Sequence, residues 1–137
     1  MTAPELILSR LPKIWIVDLD AVVFRHNAYL DGDDEVLDGA AWFWEQIASD
    51  DVVVVMTGRS ESERSRTRGL LSGLGLCVDH VMFGLPKGER VVINDSKPSG
   101  LLTAHALNLP RDGAALLTFP WAAFMIVRGV VGRGRRG

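Results

Sequence analysis

The sequence predicts an α/β domain built around a mainly parallel sheet of five strands. Short β-branched runs alternate with helical segments along the chain, the pattern of a layered α/β fold. Polar, reactive residues follow several of the strands, where ligands collect in parallel sheets. The 137 residues, 47% apolar and 23% charged, fit one domain with a real core. About two-thirds of the unfolded surface can be buried at this length, so folding requires neither disulfide nor metal.

Taken in order, Ile14 to Leu19 is a near-continuous apolar run, read as a strand buried on both faces. Gly39 to Ser49 follows as a helix with Asp38 at its N-cap. Trp42, Phe43 and Trp44 serve its packing against the sheet. The four consecutive valines of Val52 to Met56 make the second strand. Ser60 and Glu63 have capping-box spacing, opening a helix to about Ser72 that Gly73 and Gly75 end. His80 to Phe83 reads as a third strand, Val91 to Asn94 as a fourth and Leu102 to Leu109 as a fifth. Ala122 to Val127 reads as a closing helix. The domain spans 1–127, and an Arg/Gly-rich tail occupies 128–137.

Composition narrows the setting. A single cysteine, Cys77, excludes an intramolecular disulfide and a cysteine-based zinc site. Between Leu76 and Val78 it reads as a small buried apolar residue, and a cytoplasmic location fits. The N-terminal stretch contains Glu5 and is too short in apolar residues for a signal-peptide core. Residues 114–131 are apolar, but Pro120, Arg128 and Gly129 interrupt them, which favours packing or peripheral contact over stable membrane insertion. Net charge is −2, yet Arg128, Arg133, Arg135 and Arg136 crowd the tail, so the remainder is more acidic than that figure. A solvated tail is the plain reading.

Three strand ends carry the chemistry: Asp18-Leu19-Asp20 after the first, Thr57-Gly58-Arg59 after the second, Asn94-Asp95 after the fourth. Loops leaving the same edge of a parallel sheet converge on one crevice. One carboxylate of an Asp-x-Asp pair can attack phosphorus in line, and the other can protonate the leaving oxygen and then deprotonate water. Carboxylates facing a phosphate dianion repel it, and Mg²⁺ on Asp18, Asp20 and Asp95 would relieve that repulsion. Thr57 offers a hydroxyl, Gly58 amides and Arg59 a bidentate fork to phosphate oxygens. A lysine, Lys87 or Lys97, offsets the remaining charge. Each piece alone is an ordinary turn. Together, in this order, they point to an active site.

This set, strand-Asp18-Leu-Asp20-Ala-Val-Val-Phe, strand-Met-Thr57-Gly-Arg and Val-Val-Ile-Asn94-Asp95, resembles the motifs of the haloacid dehalogenase-like phosphatases over about Ile14 to Pro98. The resemblance implies a three-layer, Rossmann-like domain and hydrolysis of a phosphate monoester through an aspartyl-phosphate. It makes Asp18 nucleophile and metal ligand, Asp20 general acid/base and metal ligand through its carbonyl, Thr57 a phosphate ligand and Asp95 a ligand of Mg²⁺. Lys87 precedes the fourth strand as the family order expects, whereas Lys97 follows Asp95 by two positions. Ala21-Val22 stand where family members often have Gly-Thr, and Asn94 replaces a frequent second acid, which lowers the expected metal affinity.

The 37 positions from Asp20 to Thr57, and the equally short stretch from Thr57 to Asp95, leave no room for a cap domain. An open site of this kind takes cover from a neighbouring copy of the chain or from a large substrate. The expected substrate is a sugar phosphate or similar metabolite. The segment after the nucleophile strand forms a flap in the resembled family, so His26, Asn27 and Tyr29 are substrate-reading candidates. Arg59 either grips an anion or pairs with Glu61 or Glu63. Thr-Gly-Arg also occurs in polynucleotide 3′-phosphatase relatives, which keeps a nucleic-acid end in view. The rival from another class is a non-catalytic phosphate-binding or phosphoacceptor signalling domain. Asp31, Asp33, Asp34 and Glu35 lack calcium-loop spacing and read as a solvated acidic loop.

Overall fold

The computed structural model describes residues 8–113. Strand β1 (Ile14–Asp18) leads through a hairpin-like excursion, which carries the short helix α1 (Ala28–Asp31), to helix α2 (Ala40–Glu45). Strand β2 (Val52–Met56), a 3₁₀ turn at Glu61–Glu63, helix α3 (Arg64–Gly73) and strand β3 (His80–Met82) follow. The strands form one parallel sheet in the order β1-β2-β3. Ile14 pairs with Val52 and Asp18 with Met56, and Val54 pairs with His80. This register brings the C-terminal ends of β1 and β2 level.

Register partners share a face, so Trp15, Val17, Val53, Val55 and Val81 all point the same way. That face meets Ala40, Trp44 and Ile47 of the α2 region and Leu71 and Leu76 of the α3 region in the main core. Both crossovers step in the same direction along the sheet, and right-handed connections then place both helices on one side. The opposite face is open: Ile14 and Ile16 are 68% and 51% exposed. The expectation that the first strand is buried on both faces is thereby corrected.

The described residues hold an α/β fold with a small three-stranded parallel sheet, and the predicted fourth and fifth strands are irregular. Val91 to Asn94 is solvent-exposed chain, where Asn94 Nδ2 donates to the Thr103 carbonyl at 3.1 Å and the Thr103 hydroxyl to the Asp95 carbonyl. These local bonds stand where a sheet ladder would be. The closing helix at Ala122 to Val127, the apolar segment 114–131 and the tail 128–137 lie outside the described residues.

Local details differ from expectation for identifiable reasons. Gly39, not Asp38, stands at the N-cap of α2, with φ +88° and no side-chain cap. Glu63 turns forward to Arg66 at 3.0 Å instead of back to Ser60, so the capping box does not close. At the other end of α3, Gly75 adopts φ +77° and lets Leu76 N–H reach the Leu71 carbonyl at 3.0 Å. A side chain at that backbone conformation would be strained. Cys77 is exposed, not buried; its carbonyl accepts the Trp44 indole N–H at 2.8 Å. Trp42 is exposed, while Trp44 is core and Phe43 packs edge-on against Trp15.

Candidate functional site

The site begins where β1 ends. Leu19 N–H still donates to the Met56 carbonyl at 3.0 Å, holding the chain against β2 for one more residue. The backbone then turns back, with Val23 and Phe24 N–H both donating to the Leu19 carbonyl. Ala21 takes φ +74° to do so, a backbone conformation that glycine adopts more readily than alanine. Leu19, Val23 and Phe24 are fully buried, so this turn is anchored from inside. Asp18 and Asp20, on either side of Leu19, are left at the rim.

Residues 23–37 form a hairpin. Phe24 bridges Val36 in antiparallel fashion, Arg25 N–H donates to the Glu35 carbonyl, and Leu37 N–H donates to the Val23 carbonyl. Its base is braced from far along the chain: Asp112 Oδ1 accepts His26 N–H at 2.7 Å, and Asp112 N–H donates to the Ala21 carbonyl at 3.0 Å.

Asp18 keeps a half-exposed carboxylate with Arg90 Nη2 3.8 Å away. Burial raises its pKa above the ordinary carboxylate value; Arg90 pulls it down, Asp20 pushes it up and His26 lowers it further. Asp18 is therefore a carboxylate short of positive charge, the condition that an added cation or protonation relieves.

Asp20 is held firmly. Its Oδ2 accepts the Thr57 hydroxyl at 2.9 Å, and its Oδ1 accepts Arg59 Nη2 at 2.8 Å and Nε at 3.1 Å. Thr57 is buried, and its oxygen also accepts Arg59 N–H at 3.0 Å. The hydroxyl expected at a phosphate thus points to Asp20. Gly58 is exposed beside the chain leaving β3, where an added Cβ would lie 3.3 Å from the Leu85 carbonyl oxygen.

Arg59 departs furthest from expectation. Its side chain is 1% exposed and lies against the Asp34 carboxylate, itself 0% exposed. Nη2 donates to Asp34 Oδ1 at 2.6 Å, Nη1 to Asp34 Oδ2 at 3.1 Å and to the Thr67 hydroxyl at 3.1 Å. With the two bonds to Asp20, every N–H of the guanidinium has a partner. Its Cζ lies over the Tyr29 ring, 3.9 Å from the ring centroid. Burial works against the charge, but the bonds to Asp34 and Asp20 outweigh it and raise its pKa. Glu61 and Glu63, the partners the sequence offered, pair with Arg64 and Arg66 instead.

The structure therefore brings together Asp18, Asp20, Thr57 and Arg59 from two strand ends, with His26 close enough to act on Asp18 electrostatically. Tyr29 is committed to Arg59, and Asn27 is exposed with φ +58°. Lys87, Asp95 and Lys97 are exposed, and the ion pair that Asp18 makes among the described residues is with Arg90. Among the described residues, no group of three or more His, Cys, Asp or Glu side chains stands assembled for a metal ion. Sequence reasoning missed Arg90, Asp34 and Asp112. Asp34 sits 25 positions from Arg59 inside an acidic run, so no local spacing signals that it is buried; the supposedly solvated loop contains the most buried carboxylate of the site. Among the described residues, no helix is long and apolar enough to cross a membrane. Comparison with models of protein families, with curated proteins and with solved structures gives no match.

Proposed function

We propose that the chain is a capless, Mg²⁺-dependent phosphohydrolase of the haloacid dehalogenase type, acting on a phosphate monoester such as a sugar phosphate. One observation carries the reading: a half-exposed, charge-deficient carboxylate, Asp18, stands at the end of β1 beside a second, Asp20, gripped from the end of β2. That division of labour suits a nucleophile and a proton carrier.

In the proposed cycle, an Asp18 oxygen attacks phosphorus and the ester P–O bond breaks, giving an aspartyl-phosphate and an alkoxide leaving group. Asp20 supplies the leaving oxygen with its proton. Its Oδ2, which accepts the Thr57 hydroxyl at 2.9 Å and Arg59 Nε at 3.3 Å, is the oxygen less tightly bound by the guanidinium and carries that proton in the proposal. Asp20 then takes a proton from water, which attacks the acyl-phosphate and frees Asp18 and phosphate. Arg90 is the cation within reach of Asp18 and takes over the charge-offsetting role sought in Lys87 or Lys97.

A divalent cation would supply charge neutralisation and orientation of the phosphoryl group. Asp18 fits such a group, being half-exposed and short of positive charge. The Asp20 carbonyl and Asp95 are its proposed further ligands. Asp95 would join through the finer fold of the reading, in which Val91 to Asn94 adds to the free edge of β1 as part of a five-stranded, three-layer domain. Its support is physical: Val91, Val92 and Ile93 are 79%, 61% and 93% exposed, and β1 has a sheet partner on one side only among the described residues.

The test is phosphate release from sugar phosphates, nucleotides and 3′-phosphorylated oligonucleotides, with Mg²⁺ and with chelator. Metal-dependent release from the small esters is the expected result. No release from any of them defeats the reading.

A further inference from the structure

The buried pair Arg59–Asp34 is not used by the cycle above, yet it is the most completely satisfied polar group near the site. Three parts of the chain meet on one guanidinium: Asp20 from the turn after β1, Asp34 and Tyr29 from the 23–37 hairpin, and Thr67 from α3. Arg66 Nη1 approaches Asp34 Oδ2 at 3.4 Å from the same helix. The hairpin is otherwise tied to the body at its base, by the buried Val23, Phe24 and Leu37 and by the Asp112 bond to His26, and at its outer end by Arg66 Nη2, which donates to the Gly32 carbonyl at 3.3 Å. Its outer part is polar and exposed, with Leu30, Asp31, Gly32 and Asp33 all facing solvent. Helix α1 has no buried residue, and its Tyr29 stacks on Arg59.

We propose that Arg59 and Asp34 form a latch that pins the 23–37 hairpin to the end of β2 and, through the same guanidinium, fixes the direction of the Asp20 carboxylate. Arg59 is then a positioning residue, not an anion-binding one. Bidentate contact on both carboxylates is what makes the latch directional: a fork fixes two planes at once, which a lysine ammonium does not. Desolvating one cation between two carboxylates is costly unless every donor and acceptor is matched, and here they are. The Asp20 half of the proposal rests on the phosphatase reading. The hairpin half does not.

Two variants and two readouts test it. Asp34→Asn keeps the shape and removes one carboxylate charge; Arg59→Lys keeps the charge and removes the fork. Amide hydrogen exchange should accelerate by about tenfold or more across residues 26–36 in both variants, with the β2 amides unchanged. Exchange that is unaltered, or that rises equally throughout, overturns the latch. The second readout is the single-turnover rate of leaving-group release from an alkyl phosphate against p-nitrophenyl phosphate, which reports the attack of Asp18 before the water step that needs Asp20 for both esters. An alkoxide needs the proton of Asp20 and p-nitrophenolate does not, so misdirecting Asp20 should lower alkyl release by about a hundredfold while sparing release from the aryl ester. Equal loss on both esters overturns the positioning role. Should the wild-type protein turn over neither ester, the phosphatase reading fails, and the exchange result alone decides the latch.

Discussion

Asp51 shows how much a single carboxylate organises in this chain. It accepts Lys13 N–H at 2.9 Å, the Trp15 indole N–H at 2.9 Å and Ala48 N–H at 3.2 Å, tying the start of β1 to the turn before β2. Replacing it with alanine orphans those donors, and Asp51→Ala should cost about 2–3 kcal/mol in denaturant unfolding. Asp18 works in the opposite sense. Its folded-state pKa is raised, by burial first and by Asp20, so the native state binds its proton more tightly than the unfolded chain does. For a carboxyl shifted upward, stability is lost as pH rises through its titration. In metal-free protein Asp18→Asn should therefore melt higher than wild type at neutral pH, and the difference should vanish below the carboxylate range. A lower melting point at neutral pH would contradict that sign. Residues at this scale were legible where the chemistry is local: Asp18, Asp20 and Thr57 follow strands that hydropathy marks plainly. Arg90, Asp34 and Asp112 were not, because each acts on a partner far away in sequence.

At the scale of elements, β1, β2, α3 and β3 were visible in β-branched runs and glycine stops, and α2 proved shorter than its apolar pattern. The helix end at Gly75 is a direct case: its φ of +77° is one glycine accepts and alanine resists. Gly75→Ala should destabilise by about 1 kcal/mol, read from the urea midpoint. The open space around a Cβ built there makes strain, not collision, the cause. The hairpin at 23–37 was expected as a flap by resemblance, with Asp31, Asp33, Asp34 and Glu35 as a solvated acidic loop. Its pairing is made by isolated bridges, and its outer part is held by Arg59 and Arg66, neither of which has a periodic signature in sequence.

At the scale of the whole molecule, parallel sheets are normally covered on both faces and along their edges. Here Ile14, Ile16 and Met82 lie exposed on one face of the sheet, and Val91 to Ile93 are exposed nearby in sequence to the site. The fourth and fifth strands were read from hydropathy, which reports a demand for burial without specifying the partner. If Val91 to Asn94 adds to the edge of β1, its amides should show hydrogen-exchange protection comparable to those of β3. Exchange at the rate of open chain would contradict the five-stranded reading.

The proposed function depends above all on Asp18 as the oxygen nucleophile toward phosphorus. Phosphate release by the wild-type protein and by Asp18→Asn, side by side with Mg²⁺ and the ester that the panel selects, measures it. Turnover should be abolished in Asp18→Asn while the variant still unfolds cooperatively. Turnover by Asp18→Asn at the wild-type rate would contradict it.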